Sequence, residues 1–308
     1  MNVYTDIKSL PVFTKAVITT GSFDGVHVGH EKIISQLINE AKRIGGTPVL
    51  ITFYPHPKQI VQIKDKPLFV LNTPEEKYEL LQKMGIKNIV VVPFDKQFSE
   101  LTASQYIEDF LVKNFNPSLI VVGYDHRFGH NREGNFDLLK AEGTKNNYEV
   151  IEIPEHILKD ITISSTKIRN ALTSGDINTA ALHLGYQYFF TGTVIEGNKL
   201  GRTIGYPTAN LLIENENKLI PADGVYAVDV ILKDSQLKGM MNIGMRPTVA
   251  GKKRTIEVNI FNFNEDIYGE YLKITIKNHL RSEVKFNGLD KLKAQLARDK
   301  EMAVGLNS

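Results

Sequence analysis

The chain has no cysteine among its 308 residues. Disulfides, thiolate catalysis and cysteine-built metal centres are therefore excluded, and a reducing compartment fits this usage. Charge of one sign is lacking as well: 37 Lys and Arg against 35 Asp and Glu leave a net +2, with no basic run longer than three residues. That balance gives no support for broad binding to nucleic acid or to a membrane surface. No apolar stretch approaches the ~20 residues that span a bilayer. The opening MNVYTDIKSLPVF has no basic cluster ahead of an apolar core, unlike a secretion signal. The expectation is a cytoplasmic protein with no membrane association and no obligatory protein partner. Repeats and low-complexity segments are absent too. At this length two domains can each build a core, and 42% hydrophobic with 23% charged residues is ordinary for a globular chain.

The chain reads as two halves, with domains expected at 1–185 and 186–308. In the first, short apolar runs at 16–20, 49–53, 89–92, 119–122 and 149–153 alternate with helical patterns at 74–84, 103–114 and 136–142. Continuous strands separated by helices predict a parallel α/β sheet, Rossmann-like, with helices on both faces and its ligand beyond the strands' carboxyl ends. After Tyr186 the runs at 189–195, 224–232, 240–243, 255–263 and 271–276 follow one another with only turns between them. This predicts a mostly antiparallel β-barrel, closed by a helix over 289–298. The join falls around 174–187, where two short helices fit either half.

The stretch Gly21 to His30, GSFDGVHVGH, lies between the first strand and a helix with Ile33, Ile34, Leu37, Ile38 and Ala41 at helical spacing. A strand-to-helix turn gathers anions on free backbone amides and the positive helix end. Gly21, Gly25 and Gly29 allow sharp turns. His27 and His30, at i and i+3, share a side if the first helical turn begins near them, and imidazoles there donate to phosphate oxygens. The same pair also suits plain capping chemistry. A zinc site is poorly supported, because Asp24 is the only nearby carboxylate. The H-x-G-H string resembles the signature of nucleotidylyltransferases.

Three further strings fall in this half. ISSTKIR (163–169) sets hydroxyls at Ser164, Ser165 and Thr166 before a helix, with Lys167 and Arg169 in its first turns. Cations there oppose the macrodipole unless a polyphosphate reverses the sign; a capped helix with two solvated cations is the alternative. GYDHRFG (123–129) is a loop for a base or sugar, or one packed by Tyr124 and Phe128. In Tyr54-Pro55-His56-Pro57 the prolines stiffen another strand-end loop, and His56 either faces the same edge or caps.

The second half carries GNKLGRTIGYPTAN (197–210). Gly197, Gly201 and Gly205, with Arg202, suit a flap over a polyphosphate. Thr208 and Asn210 project from one face of a strand, two neutral oxygen ligands for magnesium completed by water and phosphate. Glu257 alternates with Ile256 and Val258, either as a carboxylate facing the interior that takes the proton of an attacking alcohol, or as a residue on the wet face of a barrel strand.

Together GSFDGVHVGH, TFYPHP, GYDHRFG and ISSTKIR, then GRTIGYPTANL, DGVYAV, MNIGMRPT and EVNIF…YG, resemble the motifs of the prokaryotic bifunctional riboflavin kinase/FMN adenylyltransferase family, in order and across nearly the whole chain. The resemblance implies two reactions: riboflavin and ATP to FMN in the barrel, then FMN and ATP to FAD and pyrophosphate in the first domain. It implies that His27 and His30 stabilise the ATP phosphates and the charge of transfer. Gly21, Phe23, Asp24, Gly29, Ser165, Thr166 and Arg169 would hold the nucleotide, with Asp125 near it. In the barrel it implies ATP contacts at Gly197, Gly201, Arg202 and Gly205, magnesium at Thr208 and Asn210, and Glu257 as general base on the riboflavin 5′-hydroxyl. Asn242 and Arg246 belong to a matching block without an assigned role. Three positions depart from the family pattern: His126 where phenylalanine is common, Asn259 for a frequent histidine, and Asn262 for a frequent aspartate. The alternatives are a riboflavin kinase with an inactive or redirected first domain, and a flavin- or nucleotide-binding regulator without turnover.

Overall fold

The structure, a computed structural model, describes residues 1–61, 67–155, 164–197, 200–248 and 251–306. Ile163 of ISSTKIR and residues 198–199 of the glycine-rich string lie outside the described residues, as does the side chain of Arg246. The chain divides into two compact units, Met1–Ser165 and Thr166–Ser308.

The first unit is a six-stranded parallel sheet of β1 (Asn2–Tyr4), β2 (Val17–Thr20), β3 (Pro48–Tyr54), β4 (Asn88–Pro93), β5 (Leu119–Gly123) and β6 (Glu149–Ile153), in the order β1-β4-β3-β2-β5-β6. The central strands are buried on both faces, which is why they read as unbroken apolar runs. On one face Ile18, Ile51, Val90, Val92, Ile120 and Val122 form a core with Tyr106, Phe110, Phe115 and Leu139. Those partners come from a helical segment, α3 (103–115), widened to a π-helix over Tyr106–Val112, and from α4 (Phe136–Asn146). The alternate residues Val17, Leu50, Ile89 and Val121 are equally buried and point the other way. There α1 (Val28–Ile44) packs against β2, β3 and β5. Helix α2 (Pro74–Lys83) starts with a full capping box: Thr73 accepts from Glu76 N–H, and Glu76 accepts from Thr73 N–H.

The sheet turns from descending to ascending order between β2 and β5, which makes the carboxyl end of β2 the topological switch point. The loops after β3, β2 and β5 stand side by side at that edge, and they are the three strand-end strings found in the sequence.

The second unit begins one residue into α5 (Ser165–Ser174) and continues with α6 (Ile177–Leu184), the two helices that the sequence left open. They belong with the later residues of this unit, since Ala222 N–H donates to Leu172 O at 3.0 Å. Six strands then close an antiparallel barrel: β7 (Phe189–Ile195), β8 (Ala209–Leu212), β9 (Gly224–Leu232), β10 (Ser235–Thr248), β11 (Gly251–Ile260) and β12 (Tyr271–Arg281), in the order β10-β11-β8-β7-β12-β9. β12 runs beyond the expected 276 because bulges at Ile276/Asn278 and His279/Arg281 break its alternation without ending its pairing. Helix α7 (Leu289–Leu306) lies on the barrel through Leu296 and Ala303, which pack with Ala227, Met240 and Phe261. Among the described residues no helix is long and apolar enough to cross a membrane.

Candidate active sites

In the first unit the turn from β2 to α1 is held by its backbone. Gly21 N–H donates to Ile51 O at 3.0 Å, and Val26 N–H to Phe23 O at 3.2 Å. Left-handed conformations fall on Phe23 (φ 46°), Gly25 (φ 87°) and Val26 (φ 37°). Only Gly25 adopts such a φ without steric cost, so Phe23 and Val26 store strain that surrounding contacts must hold.

His27 is the N-cap of α1 and is buried; Gly29 is the second helical residue and His30 the third. The two imidazoles stack with centroids 3.7 Å apart, and Phe23 packs on His30 at 5.1 Å. His27 backbone N–H donates to His30 Nδ1 at 3.3 Å. Burial first, then the neighbouring His27 and Lys77, holds the His30 pKa well below the usual 6.5. The ring is therefore neutral at pH 7, and with Nδ1 accepting, its proton sits on Nε2 as a donor. A neutral donor at the N-terminus of a 17-residue helix is suited to phosphate oxygens.

The other predicted residues divide by position. The Asp24 carboxylate is buried and accepts from Leu71 N–H at 2.9 Å and Asn72 N–H at 3.4 Å, so it ties the loop to the turn before α2. Ser165 Oγ donates to Asp24 O at 2.9 Å. Thr166, exposed, and Arg169, half-buried, follow in α5 and count with the second unit. Asp125 is exposed after β5. Its neighbour His126 lies 3.5 Å from Thr20 Oγ1, which also accepts from Tyr106 OH at 3.0 Å, and it stacks on Phe128. Burial, with Arg132 nearby, brings the His126 pKa down to about 4. His56 Nδ1 accepts from Lys58 N–H at 3.1 Å, so that ring caps a short helix.

In the barrel, strand register assembles the second site. Glu257 on β11 stands opposite Asn210 on β8 and opposite Asn242 on β10. Directly paired residues share a face, so Asn210, Glu257 and Asn242 form a row across three strands. Glu257 is half-buried. It lines a cavity of about 250 Å³ with Thr208, Asn242, Asn259, Tyr206 and, from β12 and α7, Arg281 and Leu296. A neighbouring cavity of about 480 Å³ is lined by Arg202, Thr208, Phe263 and residues 264–268, so Thr208 borders both. Asn259 Nδ2 donates to Pro207 O at 2.7 Å, fastening β11 to the Tyr206–Asn210 turn. Gly197 has no room for a side chain, because a Cβ there would strike the Asn210 amide. Gly201 and Arg202 lie in the short helix Leu200–Thr203, and Gly205 in the turn after it.

Sequence reasoning passed over Lys77 and the Glu257–Asn242 pairing. Lys77 was detectable: at i, i+3 and i+4 it shares the face of Leu80 and Leu81, where a solvated lysine does not belong. The Asn242 pairing depends on register between distant strands, which no local pattern carries.

Comparison with known proteins agrees with this division. The family model for FAD synthetase matches residues 10–167, and that for riboflavin kinase matches residues 184–306. A bifunctional riboflavin kinase/FMN adenylyltransferase from Escherichia coli K12 is 37% identical over 284 residues, covering 92% of this chain and 90% of that one. Its counterpart from Bacillus subtilis is 36% identical over 295 residues, covering 94% and 92%. A crystal structure described as a macrolide-efflux protein from Streptococcus pneumoniae superposes with a TM-score of 0.85 at 33% identity, over 98% of each chain. That description belongs to the other protein, whereas the two curated relatives agree with both family models. This chain belongs to the bifunctional riboflavin kinase/FMN adenylyltransferase family, with an FAD synthetase part followed by a riboflavin kinase part.

Proposed function

We propose that the two sites act in succession on one flavin. In the barrel, riboflavin and ATP give FMN and ADP; in the first unit, FMN and ATP give FAD and pyrophosphate. The observation that carries this reading is the row Asn210–Glu257–Asn242 beside two cavities that share Thr208. The smaller cavity, with Tyr206 and the apolar face of α7, suits a flat flavin ring. The larger, with Arg202, suits the nucleotide; Gly201 lines the smaller cavity, and Gly197 and Gly205 lie in the same chain segment as Arg202. Glu257 takes the proton of the 5′-hydroxyl as that oxygen attacks the γ-phosphorus, and the bond to the β-phosphate oxygen breaks.

Thr208 and Asn210 offer hard neutral oxygens that fit magnesium shared with phosphate. Among the described residues no cluster of three His, Asp or Glu stands ready to hold a metal. The ion would therefore rely on the nucleotide for much of its shell, and when bound it would neutralise phosphate charge during transfer.

In the first unit the FMN phosphate attacks the α-phosphorus of ATP and pyrophosphate leaves. His27 and His30 donate to the phosphates, Ser165 helps to hold the triphosphate, and Asp125 lies near the nucleotide. Positioning and charge stabilisation supply most of the acceleration. Riboflavin, FMN, ATP and FAD are then the partners of this chain, with no nucleic acid, membrane or obligatory protein among them.

The test is a time course with riboflavin, ATP and magnesium, separating the three flavins. FMN is expected first and FAD after it; a folded protein that forms neither would falsify the reading.

A further inference from the structure

Lys77, on α2, is 9% exposed, and a cation at that depth survives only where the surroundings satisfy it. Its Nζ donates to Ser22 O at 2.8 Å and reaches Thr52 Oγ1 at 3.4 Å, while Thr52 Oγ1 donates to the same Ser22 O at 3.2 Å. The Asp24 carboxylate supports the ammonium electrostatically, although burial dominates and brings the Lys77 pKa down to about 8. One side chain thus joins the phosphate-loop string to the string at the end of β3.

This arrangement constrains the loop. The Ser22 carbonyl accepts from two donors, and in a trans peptide the N–H of the next residue points the opposite way, so the plane of the Ser22–Phe23 peptide is fixed. The strained conformations at Phe23 and Val26 lie in the same turn, and such strain persists only where contacts over-determine it. Lys77 also acts on the histidine pair. With burial and His27, it is one of the three influences that keep His30 unprotonated, and Asp24 is the charge that faces Lys77 itself.

Resting on the reading of this loop as the adenylyl-transfer site, we propose that Lys77 is a positioning residue for that reaction. Its buried ammonium fixes the Ser22–Phe23 peptide and with it the turn that presents His27 and His30, and it adds positive potential at the pair. Lys77 acts through the loop and is not assigned contact with the reacting atoms.

The experiment compares the full chain with Lys77→Met, which keeps the apolar stem and removes the charge. Three quantities are measured: FAD formed from supplied FMN, FMN formed from riboflavin, and the His30 titration by NMR. FAD formation is expected to fall on the order of a hundredfold, the scale of a misplaced catalytic group. Riboflavin phosphorylation should remain within about twofold, since the barrel builds its own site. The His30 midpoint should rise, which a purely structural lysine would not cause. Unchanged FAD formation, an unmoved His30 midpoint, or equal loss of both reactions overturns the proposal. If Lys77→Met does not fold, Thr52→Val removes one of the two donors to Ser22 O and keeps the charge. It should slow FAD formation severalfold and leave His30 in place; an unaltered rate overturns the proposal. Wild-type protein that makes no FAD from FMN would instead refute the underlying reading, and the His30 titration would still test the electrostatic half.

Discussion

Replacing Arg281 by methionine should unfasten α7 from the barrel. The Asp299 side chain is wholly buried, and that of Arg281 is 19% exposed. Arg281 Nε lies 2.9 and 3.1 Å from the two carboxylate oxygens, Nη2 lies 2.8 Å from one of them, and Gln295 adds a further bond at 2.9 Å. Removing one partner of a buried pair leaves an uncompensated charge, at a cost of about 3–5 kcal/mol. Gln295 remains to donate, so the lower end, about 3 kcal/mol, applies here. Denaturant unfolding of the barrel unit should register that loss. Leu292 and Leu296 of α7 wall the smaller cavity, so KM for riboflavin should rise while FAD formation from supplied FMN stays unchanged. Arg281→Met with Asp299→Leu should recover most of the stability, because a buried ion pair exchanged for apolar groups is often neutral. The reasoning fails if Arg281→Met loses less than about 1 kcal/mol, as an exposed pair would, or if the double variant is no more stable than the single one.

Gly197→Ala should push the Asn210 amide out of its row with Glu257 and raise the magnesium needed for half-maximal FMN formation, on the order of tenfold. A magnesium titration that coincides with wild type would contradict this. His126 has a folded pKa of about 4 against an ordinary 6.5. The unfolded chain binds its proton first as pH falls, so the stability linked to His126 is complete above pH 6.5 and is lost towards pH 4. His126→Phe should flatten that part of the acid decline, read as the difference in Tm between pH 7 and pH 5; an equal drop in both proteins counts against it.

The central strands of the parallel sheet were legible because burial on both faces writes an uninterrupted apolar run; the half-exposed edge strand β6 and, in the barrel, β7 also match their expected bounds. β1 was not, being three residues at the sheet edge, exposed to half-buried, with no pattern to read. β10 runs from Ser235 to Thr248 although only 240–243 stood out, since Gly239, Gly244 and Pro247 interrupt its alternation. Asp299 hid the length of α7 in a similar way: it occupies the buried stripe of Leu292, Leu296 and Ala303, where a carboxylate reads as the end of the amphipathic pattern until Arg281 is found opposite it. The candidate sites were legible where chemistry sits in contiguous strings, as in GSFDGVHVGH. They were hidden where it is assembled across the fold, as with Lys77 beneath Ser22 and Asn242 beside Glu257. The strain in the loop also shifted owner, from the glycines that the sequence offered to Phe23 and Val26.

The most direct measurement is a crosswise assay of His30→Ala and Glu257→Gln, each given riboflavin in one reaction and FMN in another. Two independent sites predict that His30→Ala still makes FMN but not FAD. Glu257→Gln should make FAD from FMN while its riboflavin phosphorylation falls ~100- to 10,000-fold, the range for a lost general base. A folded variant of either kind that loses both reactions together, or neither, contradicts the two-site assignment.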